Sequence, residues 1–186
     1  MKLNKILIIS ISVFLISGLF LLIFLFNKKG TITNNNVENS IVKTVSIEGG
    51  GTISLESSDL TNKKVGENIN VNLYLDSNKS YSSVDFKLCY GDKVTLSNSD
   101  AKKGDDFSEG IVSNNSGNCL TYTAVKTGSE ITGKKKVASL KFVASQSGSG
   151  SFEVSQSSTK FSGSANNQIV IYKINSVAGV GYSIGK

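Results

Sequence analysis

Few residues in this chain could do chemistry, and their types rule out more than they allow. Histidine, tryptophan and arginine are absent from all 186 residues. Without histidine, no Ser-His-Asp triad, Cys-His dyad or His-ligated zinc site can be assembled. Without arginine, the bidentate grip on guanine or phosphate that usually accompanies nucleic-acid binding is missing. The two cysteines, Cys89 and Cys119, form no Cys-x-x-Cys pair, so thiol redox catalysis has little support. Asp105, Asp106 and Glu109 cluster in one short segment, where their oxygens could hold calcium or supply the acid and base of a glycosidase. The spacing is not that of an EF-hand, and the plainer reading is a hydrated loop. Lys134, Lys135 and Lys136 follow Gly133 and read as the charged tip of a hairpin, with contact to anionic lipid or polysaccharide as the alternative. The expectation is a binder without cofactor or metal, not an enzyme.

Two kinds of element must position these residues. Ile6 to Phe26 is an apolar run relieved only by Ser10, Ser12, Ser17 and Gly18. At about 1.5 Å per residue it spans roughly 30 Å, which predicts a transmembrane α-helix over residues 6–26. A cleaved signal peptide would have a shorter apolar core and a small-residue cleavage site after it. Lys2 and Lys5 on one side face Lys28 and Lys29 on the other, so flanking charge barely orients the helix. The Ser/Thr/Asn/Gly-rich remainder with only two cysteines suits an exported domain. The chain is therefore expected at the cell membrane as a single-pass protein. Residues 1–5 would be cytoplasmic, 27–45 a polar linker and 46–186 an extracellular domain. Of the formal charge of +6, only +2 lies beyond residue 45, so nucleic acid is not an expected partner.

From about Val45 the pattern changes to short alternating runs separated by turn residues, as in an all-β sandwich. Ile69, Val71, Leu73 and Leu75 share one face of a predicted strand, and Val84, Phe86, Leu88 and Tyr90 share one face of another. Further runs are Leu120 to Val125, Val137 to Val143, Gly150 to Val154 and Ile169 to Ile174, with turns predicted at Asp76 to Lys79, Asn114 to Asn118 and Asn166-Asn167, among others.

The order of these runs is similar to that of cohesin domains. Lys64-Val-Gly-Glu-Asn-Ile-Asn-Val-Asn-Leu73 resembles the cohesin entry into the second strand, and Ser83-Val-Asp-Phe-Lys-Leu-Cys-Tyr90 with Asp92 and Val94 resembles the segment leading to the Tyr-Asp-x-x-Val corner. Lys136-Val-Ala-Ser-Leu-Lys-Phe-Val143, the Ser147-Gly-Ser-Gly150 turn, Phe152 and Asn166-Asn-Gln-Ile169 resemble later parts of the family. The family's corner proline is missing, and Gly91 stands ahead of Asp92. The resemblance covers roughly Gly49 to the C-terminus and implies a jelly-roll β-sandwich of about nine strands.

It also implies a binding surface. Cohesins bind the dockerin module of another protein through one sheet face, and the resemblance sets the strands containing Ser83–Tyr90 and Cys119–Val125 side by side on it. Alternation then brings Ser83, Asp85, Lys87 and Cys89 to the outside of one strand and Cys119, Thr121 and Thr123 to the outside of the other. Asp85 matches an acidic position that contacts dockerin in cohesins; its plainer reading is a solvated strand residue. Adjacent outward thiols would let Cys89 and Cys119 form a disulfide, against the alternative of two free thiols. The expected partner is a dockerin-like or other cell-surface protein. A displayed polysaccharide-binding module is the alternative, and a laterally assembling envelope subunit is a third reading. Glycan stacking would need exposed rings. Of Tyr81, Tyr90, Tyr122, Tyr172 and Tyr182, Tyr90 and Tyr122 alternate with apolar neighbours and read as core.

Overall fold

The computed structural model describes residues 45–186. The expected cytoplasmic segment 1–5, transmembrane helix 6–26 and all but the last residue of the linker 27–45 lie outside the described residues.

Eleven strands follow one another: β1 (Val45–Glu56), β2 (Asn68–Tyr81), β3 (Ser83–Tyr90), β4 (Val94–Lys103), β5 (Glu109–Ser116), β6 (Cys119–Val125), β7 (Ile131–Ala144), β8 (Gly148–Val154), β9 (Lys160–Ala165), β10 (Gln168–Ala178) and β11 (Val180–Ile184). One layer runs β5-β6-β3-β8-β11 and the other β9-β10-β1-β2-β7-β4. They join at β3, which pairs with β6 along one edge and shares the other between β9 (through Ser83–Asp85) and β8 (through Leu88–Tyr90). All pairings are antiparallel except β1 with β10.

Alternation places one core between the layers. Ile69, Val71, Leu73 and Leu75 of β2 meet Val84, Phe86 and Leu88 of β3, all fully buried. Each such side chain contributes about 1.5–3 kcal/mol when taken out of water. Aromatic rings thread this core: Tyr90, Phe142, Phe152 and Tyr182 contact in series at 5.1, 4.6 and 4.8 Å, and Phe161 touches both Tyr172 and Tyr81.

The structure corrects three expectations. There are eleven strands rather than about nine, and β4, β5 and β9 are among those not singled out from sequence. The turn expected at Asp76 to Lys79 is instead part of β2, which runs on to Tyr81 opposite β7 with a register shift after Ser77. Buried Ser77 explains it, because its hydroxyl donates to the Gly50 carbonyl at 2.6 Å and accepts from the Lys79 amide at 3.0 Å. The hydroxyl thus satisfies in place the backbone groups that a turn would have taken to solvent. Gly50 itself fits only as glycine, since a Cβ there would lie 2.5 Å from the Cβ of Tyr172 and 2.6 Å from the Phe161 ring.

Lys134–Lys136 form no hairpin tip either; they lie within β7, opposite Asp76, Leu75 and Tyr74 of β2. Each has an acidic partner: Glu56 for Lys134, Asp106 for Lys135 and Asp105 for Lys136. The connection from β6 passes instead through Gly128, whose φ of +84° suits a turn.

Candidate functional site

The side of β3 and β6 turned away from the core gathers the residues singled out from sequence. Along β3, Val84, Phe86, Leu88 and Tyr90 are buried, while Ser83, Asp85, Lys87 and Cys89 are half-buried. Along β6, Leu120, Tyr122 and Ala124 are buried, while Cys119, Thr121 and Thr123 are half-buried. Register sets the outward residues in transverse rows: Ser83 opposite Val125, Asp85 opposite Thr123, Lys87 opposite Thr121 and Cys89 opposite Cys119.

The rows continue on both sides. Ile111 of β5 lies opposite Thr123, Asn114 opposite Thr121, and Ser116 opposite Cys119. Beyond β3, Ser162 lies opposite Ser83, Lys160 opposite Asp85, and Glu153 opposite Cys89. Hydrogen bonds tie opposite residues within these rows: Thr123 Oγ1 donates to Asp85 Oδ1 at 2.6 Å, and the hydroxyls of Ser83 and Ser162 share a hydrogen bond of 2.7 Å. The Asp85 carboxylate is thereby held in orientation with acceptor capacity to spare, since each oxygen can take more than one donor. Ile111, 48% exposed, is the one large apolar side chain exposed on this layer. Its only signal in the sequence is the Ile-Val pair inside an otherwise polar segment.

Cys89 and Cys119 are joined by a disulfide. The Tyr90 amide donates to the Asn118 carbonyl at 2.8 Å, which makes the two cysteines a non-hydrogen-bonded antiparallel pair, the arrangement in which opposite Cα atoms come closest. Here they are 4.0 Å apart. Cys119 opens β6 directly after the β5–β6 hairpin, whose two-residue turn has positive φ at both Gly117 and Asn118, +59° and +56°. That is a type I′ turn, which matches the natural twist of the strands.

The acidic trio does not assemble. Asp105 and Asp106 occupy the turn between β4 and β5 and face Lys136 and Lys135 of β7. Phe107 then enters the core, and Glu109 begins β5 opposite Val125. Among the described residues, no three potential metal ligands converge.

Every aromatic ring among the described residues is buried except that of Tyr74. Tyr81, Tyr172 and Tyr182 thus join Tyr90 and Tyr122 in the core, and Lys134 Nζ lies 4.9 Å above the Tyr74 ring. Burial holds several tyrosines protonated. It pushes the Tyr122 phenol up to about 12 and raises those of Tyr90 and Tyr182. Tyr81 is raised further, by burial first and then by Asp106 and Asp76.

No protein-family model matches this chain, and no curated protein matches it in sequence. Solved structures match it in fold. A non-cellulosomal cohesin from the archaeon Archaeoglobus fulgidus superposes with a TM-score of 0.56 at 14% identity, covering 74% of this chain and 93% of its own. The cohesin module of a Clostridium perfringens family 33 glycoside hydrolase gives 0.59 at 11% identity, covering 73% and 97%. A chain of a type I cohesin–dockerin complex from Clostridium thermocellum gives 0.51 at 10% identity, covering 75% and 99%. At these identities the likeness is one of fold: the described residues are folded as cohesin modules are.

Proposed function

We propose that this chain is a non-catalytic cell-surface binding module of cohesin type. A membrane-spanning segment at residues 6–26 holds it, a jelly-roll domain displays it, and it engages a dockerin-like protein through the outer face of β3 and β6. The observation that carries the reading is the set of polar side chains laid across β5, β6, β3 and β9 on a cohesin fold, half-buried on β3 and β6 and tied by the Asp85–Thr123 and Ser83–Ser162 hydrogen bonds. Ser83, Asp85, Lys87, Thr121 and Thr123 form its centre. Such a face is restrained by its ladder and by the Cys89–Cys119 bridge, so little freedom is lost on docking. The glycan reading lacks a stacking surface among the described residues, since their one ring outside the core, Tyr74, has Lys134 over it.

The test is capture from the source organism's lysate and culture supernatant, with residues 46–186 as bait beside a variant carrying Asp85→Arg and Thr121→Arg. A protein retained by the parent and lost by the variant supports the face. Equal capture by both, or retention of polysaccharide alone, overturns it.

A further inference from the structure

One transverse row of the outer face changes chemistry from end to end. Ile111 of β5 lies opposite Thr123 of β6, Thr123 opposite Asp85 of β3, and Asp85 opposite Lys160 of β9. Four neighbouring strands thus each give one residue to a single line, because directly opposite residues share a face. Val112 packs against the core, so Ile111 beside it turns outward. With neighbouring strands about 4.8 Å apart, the line from Ile111 to Lys160 is roughly 14 Å long.

Both ends of the line are open. A lone exposed isoleucine needs no explanation on a protein surface, but Ile111, 48% exposed, ends a row whose far end is a cation. The Asp85 carboxylate is held on its β6 side by Thr123. Among the described residues, neither exposed Lys160 nor half-buried Lys87, two residues from Asp85 on the same side of β3, forms a salt bridge. On the opposite layer, by contrast, Lys134 pairs with Glu56 and Lys141 with Asp100. Asp85 itself repels a carboxylate set one strand short of Lys160. An apolar end, an acid and then a cation therefore fix both the direction and the offset of whatever crosses these strands.

We infer that this row sets the specificity of the partner-binding face: the partner protein lays an apolar side chain on Ile111 and sets a carboxylate against Lys160, roughly 14 Å away. The inference rests on the protein-binding reading above and names what that face selects. A partner with a basic group at the Lys160 end meets like charge, and so does one whose acid falls over Asp85. Wrong registers are thus excluded by repulsion as well as by lost contact.

The unit Val42–Lys186 contains the entire buried core and suffices for the test. Its amide resonances are followed during titration with a soluble α-helical peptide carrying one Leu and, about eleven residues later on the same helix face, one Glu, a separation of about 16 Å. One control peptide has Lys in place of that Glu; another has the Glu about seven residues from the Leu, about 10 Å away and so over Asp85. Saturable shifts at Ile111, Thr123, Asp85 and Lys160 are expected with the first peptide, and binding at least about threefold weaker with either control or with Ile111→Ser. Lys160→Glu should reverse the order of the Glu and Lys peptides, a result that an unfolded variant could not give. Absent saturation, shifts centred elsewhere, equal binding of the peptides, or no reversal by Lys160→Glu would each overturn the inference. The two readings fail separately. If Ile111→Ser with Lys160→Glu captures the natural partner as well as the parent does, the row does not select the partner while the face stands. If Asp85→Arg with Thr121→Arg leaves capture intact, the face fails.

Discussion

Breaking the Cys89–Cys119 bridge should cost this domain a large share of its stability, although it is a surface feature of the sheet. The two cysteines are 30 residues apart in sequence, and the loop they close contains all of β4 and β5. On the chain-entropy model, a loop of that length restricts the unfolded chain by about 12 cal/mol/K, or about 3.6 kcal/mol at 25 °C. Few native contacts offset this when Cys89→Ser and Cys119→Ser are combined, because both sites are half-buried and the ladder around them remains. Roughly 140 residues at about 2.1 cal/mol/K each give an unfolding entropy of about 300 cal/mol/K, so the melting temperature should fall by about 12 °C. The assay is thermal unfolding followed by circular dichroism, with and without a dithiol reductant. Reduced parent and double-serine variant should melt together, and reductant should leave the variant unchanged. A variant melting within about 3 °C of the oxidised parent would refute the reasoning, because the bridge would then not be restricting the unfolded chain.

Three further outcomes follow from the same geometry. A Cβ on Gly110 would sit 1.8 Å from the Tyr122 hydroxyl, which is buried without a partner, so Gly110→Ala should destabilise by about 1–3 kcal/mol while Tyr122→Phe alone is neutral or stabilising. Combining them should recover part of the loss in denaturant melts, since the ring carbon Cζ would still lie 2.8 Å from the added Cβ; purely additive effects would show that the hydroxyl is not what crowds Gly110. The buried tyrosines have folded-state values above the ordinary 10.0, so their contribution is complete below pH 10 and is lost as pH rises towards 12. Each should cost about 1.4 kcal/mol per pH unit above 10, and tyrosinate absorbance should rise together with unfolding; tyrosinate appearing near pH 10 in a still-folded domain would contradict their burial. Because Asp105 and Asp106 are paired with lysines, neither millimolar calcium nor a chelator should move the melting temperature by more than about 1 °C; a clear calcium-dependent rise would reopen that turn as a site.

What the sequence disclosed depends on how cleanly each strand separates its two sides. β3 and β6 alternate without interruption between buried and half-buried residues, so their outward residues could be placed by counting in twos. β4 and β5 could not be recognised that way. Each carries a register shift, and their Ser-, Asn- and Lys-rich stretches bury few side chains, so the period of two is broken and weak. The run from Asp76 to Lys79 has the composition of a turn and is not one, because Ser77 finds its partner in the Gly50 carbonyl, 27 residues away in the chain. Lys134–Lys136 mislead for a related reason: their acidic partners come from β1 and from the β4–β5 turn, which no local pattern announces. Ile111 and Lys160 extend the candidate face, yet their place beside Thr123 and Asp85 follows from pairing register alone.

The central claim, that the outer face of β3 and β6 meets a protein partner, is tested most directly by site-specific photo-crosslinking in the source organism. A photoreactive residue would replace Thr121 on that face or Asn70, which is exposed on the outer side of β2 in the opposite layer. The account predicts a discrete protein adduct from position 121 and none from position 70. An adduct from position 70 alone, or none from position 121 in cells that display the domain, would contradict it.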